Sequence, residues 1–159
     1  MTDLLVKLYN LPDAQLPFSD LVPPEIKIRK PLGSEKSLIV EWVRKNFEEG
    51  WGSEMDITFS HTPFSCFIAQ QSTDLVGFAC YDSTALGYFG PTGVVEPQRG
   101  KGIGKALLLA CLYEMRTKGY GYAIIGWAGP IEFYKKHVGA VEIPDSTPGI
   151  YKDLLGGME

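Results

Sequence analysis

The order of apolar segments predicts an α/β (α+β) fold, a mixed and partly antiparallel sheet flanked by helices. Three observations carry this. Residues 65–95 hold apolar runs separated by short polar turns, the pattern of a β-meander. A glycine-rich turn at residues 99–104 leads into a stretch where Ile103, Leu107, Cys111 and Met115 recur every four residues, the spacing of a buried helix. A further apolar run at 122–126 follows that helix, so strands and helices are mixed along the chain.

Taken in order, residues 4–9 read as a short strand, and 11–24, with four prolines, as an irregular connection. Together residues 1–24 are expected as an extension packing on a single domain over 25–159. Residues 25–32 alternate Ile26 and Ile28 with Lys27 and Arg29, a half-buried strand. Ser34 offers an N-cap for a helix carrying Leu38, Ile39, Trp42, Val43 and Phe47, with Gly50 as its stop. Residues 48–56 are acidic with a lone Trp51 and read as a loop, either solvated with its ring tucked onto the core or binding. Strands are expected at 65–70 and 75–82, joined by a polar turn. The next strand, 86–95, contains Gly90, Pro91 and Gly93, which a central strand should not, so it is expected to leave its neighbour. Glu114 and Lys118 can pair on the helix after the glycine turn, and Gly119 ends it. Pro130 opens a short helix, and two tail strands are expected at 140–143 and 149–154.

Composition narrows the function. At 159 residues, 45% hydrophobic and 21% charged, the chain suits one soluble domain, expected in the cytoplasm. A net charge of −4 argues against nucleic acid as partner, and no 18-residue apolar span argues for a membrane. Cys66, Cys80 and Cys111 lie in apolar runs without CxxC spacing and read as buried, reduced thiols, with no base signalled beside Cys80 to make it a nucleophile. With His61 and His137 the only histidines, neither a metal centre nor a histidine triad is expected.

The glycine turn carries the chemistry. Helix amides left unbonded at an N-terminus, with the positive end of the helix dipole, make a seat for phosphate, and glycine lets the backbone approach it. Arg99, Lys101 and Lys105 add positive charge around Gly100, Gly102, Ile103 and Gly104. The run is not a nucleotide P-loop, which needs GxxxxGK[ST], and Leu107 stands where a dinucleotide fingerprint needs its last glycine. A branched residue at Gly102 is expected to block the anion and leave the fold intact.

Arg99-Gly100-Lys101-Gly102-Ile103-Gly104 resembles the pyrophosphate loop Q/R-x-x-G-x-G/A of the GNAT family of N-acetyltransferases, and 131–136, IEFYKK, is similar to the family's I-x-F-Y-x-K. The resemblance extends from about Ile26 to the C-terminus. It implies acetyl-CoA as co-substrate, pyrophosphate on the glycine turn, and pantetheine in the gap beside the splayed strand, facing main-chain groups of Val94 and Val95. It implies a small-molecule primary amine as acceptor, attacking the thioester directly. Two positions depart from the family: Trp127 stands where asparagine is frequent, and Tyr134 and Gly139 are five apart rather than four, which predicts a bulged helix end. The segments FACYD, FGPTGV, YAIIG and PGIYKDLL are similar to acetyltransferase domains found beside bacterial amino-sugar hydrolases, which points to an amino sugar as acceptor.

Amine acetylation needs a base, an oxyanion donor and an acid for the leaving thiolate. Tyr134 is the candidate acid, and amides along 93–95 are candidate oxyanion donors. Glu54, Asp56 and His61 are candidate bases in the segment that forms the acceptor site in the family; Glu54 and Asp56 also suit a cationic amine, and Trp51 suits a ring. A non-catalytic CoA-binding module is the alternative. A homodimer is left open.

Overall fold

The computed structural model describes residues 1–12 and 18–157. Their strands are β1 (Thr2–Lys7), β2 (Ile26–Arg29), β3 (Cys66–Gln71), β4 (Asp74–Tyr81), β5 (Tyr88–Val94), β6 (Tyr122–Ala128) and β7 (Val141–Glu142). They form one sheet in the order β2-β3-β4-β5-β6-β1-β7. β5 and β6 pair in parallel, and every other neighbouring pair is antiparallel. The helices are α1 (Lys36–Asn46), α2 (Glu49–Thr58), α3 (Ile103–Thr117) and α4 (Ile131–Val138). The mixed, partly antiparallel sheet and flanking helices agree with the sequence expectation.

Two cores result, one per sheet face, because successive strand residues point to opposite sides. Phe78 and Cys80 of β4 join Cys66 and Ile68 of β3 under Ile39, Val40, Val43 and Met55 of α1 and α2. Ala79 and Tyr81 of β4 face the other way, under Ala106, Leu107, Cys111 and Met115 of α3. Being covered on both faces is why β4 reads as an almost unbroken apolar run. The N-terminal strand, expected within an extension, is an inner strand between β6 and β7, with Leu4 and Val6 fully buried. Of the irregular connection expected over 11–24, residues 13–17 lie outside the described residues.

Four sequence expectations are corrected. Ser34 does not cap α1: Gly33–Glu35 is a 3-10 turn, and Glu35 stands at the helix entrance. Gly50 does not stop α1, which ends where Phe47 leaves helical geometry at φ −133° and ψ −110°. The acidic segment 48–56 is α2 rather than a loop. Its two glycines lower its helix propensity, but Met55 and Thr58 are fully buried. Gly52 allows close approach to α1, since a Cβ there would run into the Arg44 side chain. Tertiary packing therefore overrides a weak local preference. The tail strand expected over 149–154 is absent. Positive φ at Asp145 and Gly149 turns the chain back, and a 3-10 turn, Gly149–Tyr151, stands there.

The entrance to α1 is fastened by Glu35. Its carboxylate accepts the Leu32 N–H at 2.7 Å and two guanidinium bonds from Arg29 of β2 at 2.9 and 2.7 Å. These bonds, the Arg29 contact first and the Leu32 amide second, hold its carboxyl down at about 2. A depressed folded-state pKa adds stability above the unfolded value near 4.5, and that stability is lost as pH falls toward 2. Because the pair is solvent-screened, Glu35→Gln should cost no more than about 1 kcal/mol at pH 7. In urea unfolding the difference from wild type should shrink between pH 4.5 and pH 2. A difference that stays constant over that window would show that the ion pair does not fasten α1.

Candidate active site

β5 and β6 are in register at only two positions, Tyr88 with Ile124 and Phe89 with Ile125. Beyond Phe89, β5 stays on β4, where Thr92, Gly93 and Val94 pair with Ala79, Phe78 and Gly77. β6 meanwhile runs on to Ala128 beside β1. The strand leaves its neighbour as the glycines and proline predict. The β4 register shifts between Ala79 and Tyr81, and Pro91 sits in that irregularity, where a missing N–H costs the ladder least.

The opened edge of β5 is unevenly furnished. Val95 donates its N–H to Val76 of β4 at 2.9 Å, so that amide is engaged in the sheet. By the alternation of a strand, the main-chain groups of Val94 point the other way, toward the gap. The Val94 carbonyl accepts Arg99 Nε there at 3.0 Å. Of the two valines expected to face a coenzyme, Val94 is the one whose amide faces the opening.

The glycine turn closes the same end of the cleft. Gly102 precedes α3 at φ 84° and ψ 3°, and no side chain caps the helix, so its first amides are left for a ligand. A cavity of about 580 Å³ lies over them, walled by Val94, Gln98, Gly104, Phe133, Lys136 and His137 among others. A Cβ on Gly102 would collide with the Leu21 carbonyl, and its φ is left-handed. The expectation that Gly102 can be enlarged without harm to the fold is therefore corrected. Lys101 reaches sideways to Gln98 Oε1 at 2.8 Å, while Arg99 and Lys105 line the cavity.

Gln98, Phe133, Lys136 and His137 were not placed at this cavity by sequence, although IEFYKK and His137 were noted. Phe133, Lys136 and His137 stand at i, i+3 and i+4, so they share one face of α4, a signal that helical spacing could have given. The His137 ring packs edge-on against Phe133 at 4.7 Å. Burial, then Lys105 and Lys136, hold His137 below the usual histidine range, which reports a positive cavity wall.

Tyr134 projects from α4 to the apex of the cleft. It is 5% exposed, with its ring 6.4 Å from that of Phe89, the last β5 residue in register with β6. Its hydroxyl has no hydrogen-bond partner among the described residues, and burial pushes the phenol up to about 12. The extra residue before Gly139 is taken up at the helix end. The Gly139 N–H reaches both the Lys135 and Tyr134 carbonyls, with Gly139 left-handed at φ 64°.

The acidic candidates separate. Glu54 and Asp56 lie on opposite sides of α2, as residues two apart on a helix must. Glu54 turns to the sheet and accepts the Thr84 hydroxyl from the β4–β5 turn. Burial raises its carboxyl above the usual range, with the Thr84 bond opposing and Glu48 adding to the rise. Asp56 turns outward to Lys36 at 2.9 Å, in a groove between α1 and α2. Trp51 stacks on Phe47 at 5.6 Å and meets Phe78 edge-on at 6.2 Å, so its ring belongs to the α1–α2 core. His61 Nδ1 is bonded to Ser65 Oγ at 2.7 Å. All three cysteines are buried, and burial raises their thiols, Cys66 to about 11, so none is poised as a nucleophile.

Among the described residues no group of histidines, cysteines and carboxylates could hold a metal ion, and no helix is long and apolar enough to cross a membrane. No curated protein matches the chain by sequence. Among solved structures, a fungal multi-domain GH3 β-N-acetylglucosaminidase, described as having a GCN5-related glucosamine N-acetyltransferase region, superposes with a TM-score of 0.68 at 17% identity over 89% of this chain and 19% of its own. A GCN5-related N-acetyltransferase from Sphaerobacter thermophilus gives 0.65 at 22% identity, over 89% of this chain and 48% of its own. One from Kribbella flavida gives 0.58 at 15% identity, over 89% and 53%. The chain thus spans from a fifth to about half of the proteins whose fold it shares. The model of the acetyltransferase (GNAT) family matches residues 37–140, from the start of α1 to the end of α4 and through the glycine turn, and the chain belongs to that family.

Proposed function

We propose that this chain is an acetyl-CoA-dependent N-acetyltransferase that moves an acetyl group to a primary amine of a small molecule, with an amino sugar as the first acceptor class to test. The observation that carries this is the unpartnered Tyr134 hydroxyl at the apex where β5 leaves β6. The amino-sugar lead rests on the short segments similar to domains beside amino-sugar hydrolases, and the fungal protein of the same fold is described as carrying a glucosamine N-acetyltransferase region.

In this reading the uncapped amides of α3 take the pyrophosphate, with Arg99, Lys105 and Lys136 balancing its charge. The open edge of β5 takes the pantetheine arm. Glu54, ionised, takes a proton from the acceptor's ammonium, and the neutral nitrogen attacks the thioester carbonyl carbon. A C–N bond forms, the C–S bond breaks, and Val94 N–H faces the carbonyl oxygen as charge builds on it. Tyr134 gives its proton to the departing sulfur, and the second proton lost by the attacking nitrogen as the amide forms returns by way of solvent to the Tyr134 phenolate. A phenol held near 12 keeps that proton across the working pH range. Asp56, paired with Lys36, has no role in the step.

Thiol release from acetyl-CoA over a panel of primary amines tests the assignment. Turnover with at least one amine is expected. Tight acetyl-CoA binding without turnover across the panel would make the chain a CoA-binding module instead.

Four variants probe the parts. A Cβ on Gly104 would make only ordinary contacts, 3.9 Å to Phe133 and 4.0 Å to Val94. Gly104→Val should fold and melt near wild type but lose acetyl-CoA affinity by at least about tenfold, since its branches fill the phosphate seat. Gly102→Val should instead melt lower, and calorimetry beside thermal unfolding separates the two. Tyr134→Phe should lower kcat roughly ten- to a thousandfold, as a positioned acid typically contributes about 10²–10⁴. Its melting temperature should barely move, because the hydroxyl bonds nothing among the described residues. Unchanged kcat in a regime limited by chemistry would remove Tyr134 from the mechanism. Glu54 must be ionised to act, so kcat/KM should rise with pH through its elevated pKa, and Glu54→Gln should flatten that acid limb and lower kcat. An acid limb that survives the substitution assigns it to another group.

A further inference from the structure

The far end of the cleft is built from segments outside the glycine turn. β1 and β6 slip in register there: Thr2 faces Ala128, but Leu4 faces Ile125. Trp127 sits in that irregularity at φ 52°, a conformation that disfavours a large side chain. Asp3, 6% exposed, holds the distortion by accepting the Trp127 N–H at 2.7 Å. Asp3 also binds the tail, through Ser146 Oγ at 2.9 Å and the Ile143 N–H at 2.9 Å. The bulge and the returning tail are thus one construction.

It serves to bring two rings together. Tyr151 stacks on Trp127 with centroids 5.2 Å apart and planes 28° from parallel. Its hydroxyl lies over Gly126, 2.6 Å from where a Cβ would stand, with the Tyr88 ring at 3.0 Å from the same point. Gly126 follows Ile125, the last β6 residue in register with β5, so the phenol hangs at the mouth of the opened strands. Like Tyr134, it has no hydrogen-bond partner among the described residues. Burial, then the charges of Glu54 and Asp3 and the Tyr88 phenol, raise Tyr151 to about 12, which places Glu54 within electrostatic reach. Both stacked rings remain partly exposed.

We propose that Trp127 and Tyr151 determine acceptor specificity, forming the wall for a primary amine carried on a ring. The stacked rings receive the ring body, and the Tyr151 hydroxyl at the mouth of the opened strands accepts a hydrogen bond from its ammonium group. Trp51, engaged in the core, does not supply this surface. An aminohexose and an arylalkylamine share this chemistry, and an open-chain diamine lacks it. The inference rests on the transferase reading for its consequence in turnover, but not for binding itself.

The full chain carrying 5-fluorotryptophan has three fluorine signals, from Trp42, Trp51 and Trp127, and Trp127→Phe assigns the last. With CoA present, D-glucosamine, phenethylamine and cadaverine are titrated separately. The Trp127 signal should shift saturably with a ring amine and not with cadaverine, and which ring amine saturates first identifies the source. Tyr151→Phe keeps the stack and loses only the hydroxyl. It should weaken binding, and raise KM for the ring amine, roughly ten- to a hundredfold, the loss of one hydrogen bond to a charged group, with KM for acetyl-CoA unchanged. Thermal unfolding of Tyr151→Phe confirms that the stack survives. Turnover of a ring amine with a silent Trp127 signal and an unchanged KM in Tyr151→Phe would overturn the wall and leave the transferase reading standing. A saturable Trp127 shift without thiol release would uphold the wall and overturn that reading. Silence in both assays overturns both.

Discussion

The cleft on which the proposed function rests depends on β5 parting from β6 after two register pairs. A parallel pair normally continues until one strand ends, because each lost step leaves main-chain groups without partners. Here β5 has five residues beyond Phe89, and they keep one neighbour only. Pro91 removes a donor that would otherwise be stranded, and the bulge of Gly90 and Pro91 opposite Cys80 lets the strand turn. The aromatic contact of Phe89 with Tyr134 fills the apex. The cleft is therefore a consequence of the sheet, made with backbone groups already unsatisfied.

The N-terminal strand belongs to the same logic. β6 would be an exposed edge if β1 did not cover it, and its bulge at Trp127 needs an acceptor for the displaced amide. The buried Asp3 carboxylate meets that need, while its own backbone engages Ser146 and Ile143. A buried carboxylate is expensive unless it is hydrogen-bonded, so the site is stable only with both partner segments in place. The first residues of the chain and its last turn thereby meet at one end of the cleft, although more than 140 residues of sequence separate Thr2 from Ser146, as in the Thr2–Ser146 hydroxyl bond.

What the sequence disclosed follows from the range of the interactions involved. The period of α3 and the glycines before it are local properties, and they identified the helix and the turn. Gly90, Pro91 and Gly93 likewise announced the splay within a single strand. α2 was missed because the feature that stabilises it, the space Gly52 leaves for Arg44, joins two helices and has no local signature. The tail around Tyr151 carries apolar residues that suggested a strand, but it forms a 3-10 turn beside β7, which spans only two residues. Trp127 was visible only as a departure from a family pattern. Its stacking partner lies 24 positions away, and no spacing rule connects them. Glu54 and Asp56 looked equivalent until the helix was known, after which their two-residue separation put them on opposite faces.

Charge is distributed along the cleft in a way that suits the proposed chemistry. Arg99, Lys105 and Lys136 surround the phosphate seat at the α3 end, where the helix dipole has the same sign. Glu54 stands at the other end with Glu48 and no cation paired to it, and its carboxyl rises in pKa instead of falling as that of Glu35 does beside Arg29. A paired carboxylate is a weak base. An unpaired, half-buried one gains by accepting a proton, and that gain is what a base for an ammonium substrate requires. In the proposed function an anionic coenzyme and a cationic amine are each drawn to opposite ends. Between them lies the uncharged contact of Phe89 with Tyr134, where low polarity strengthens each hydrogen bond to a developing charge. The separation of Asp56 from this field, fixed by its ion pair with Lys36, follows the same rule: a charge already neutralised by a partner is of little use at a reacting centre.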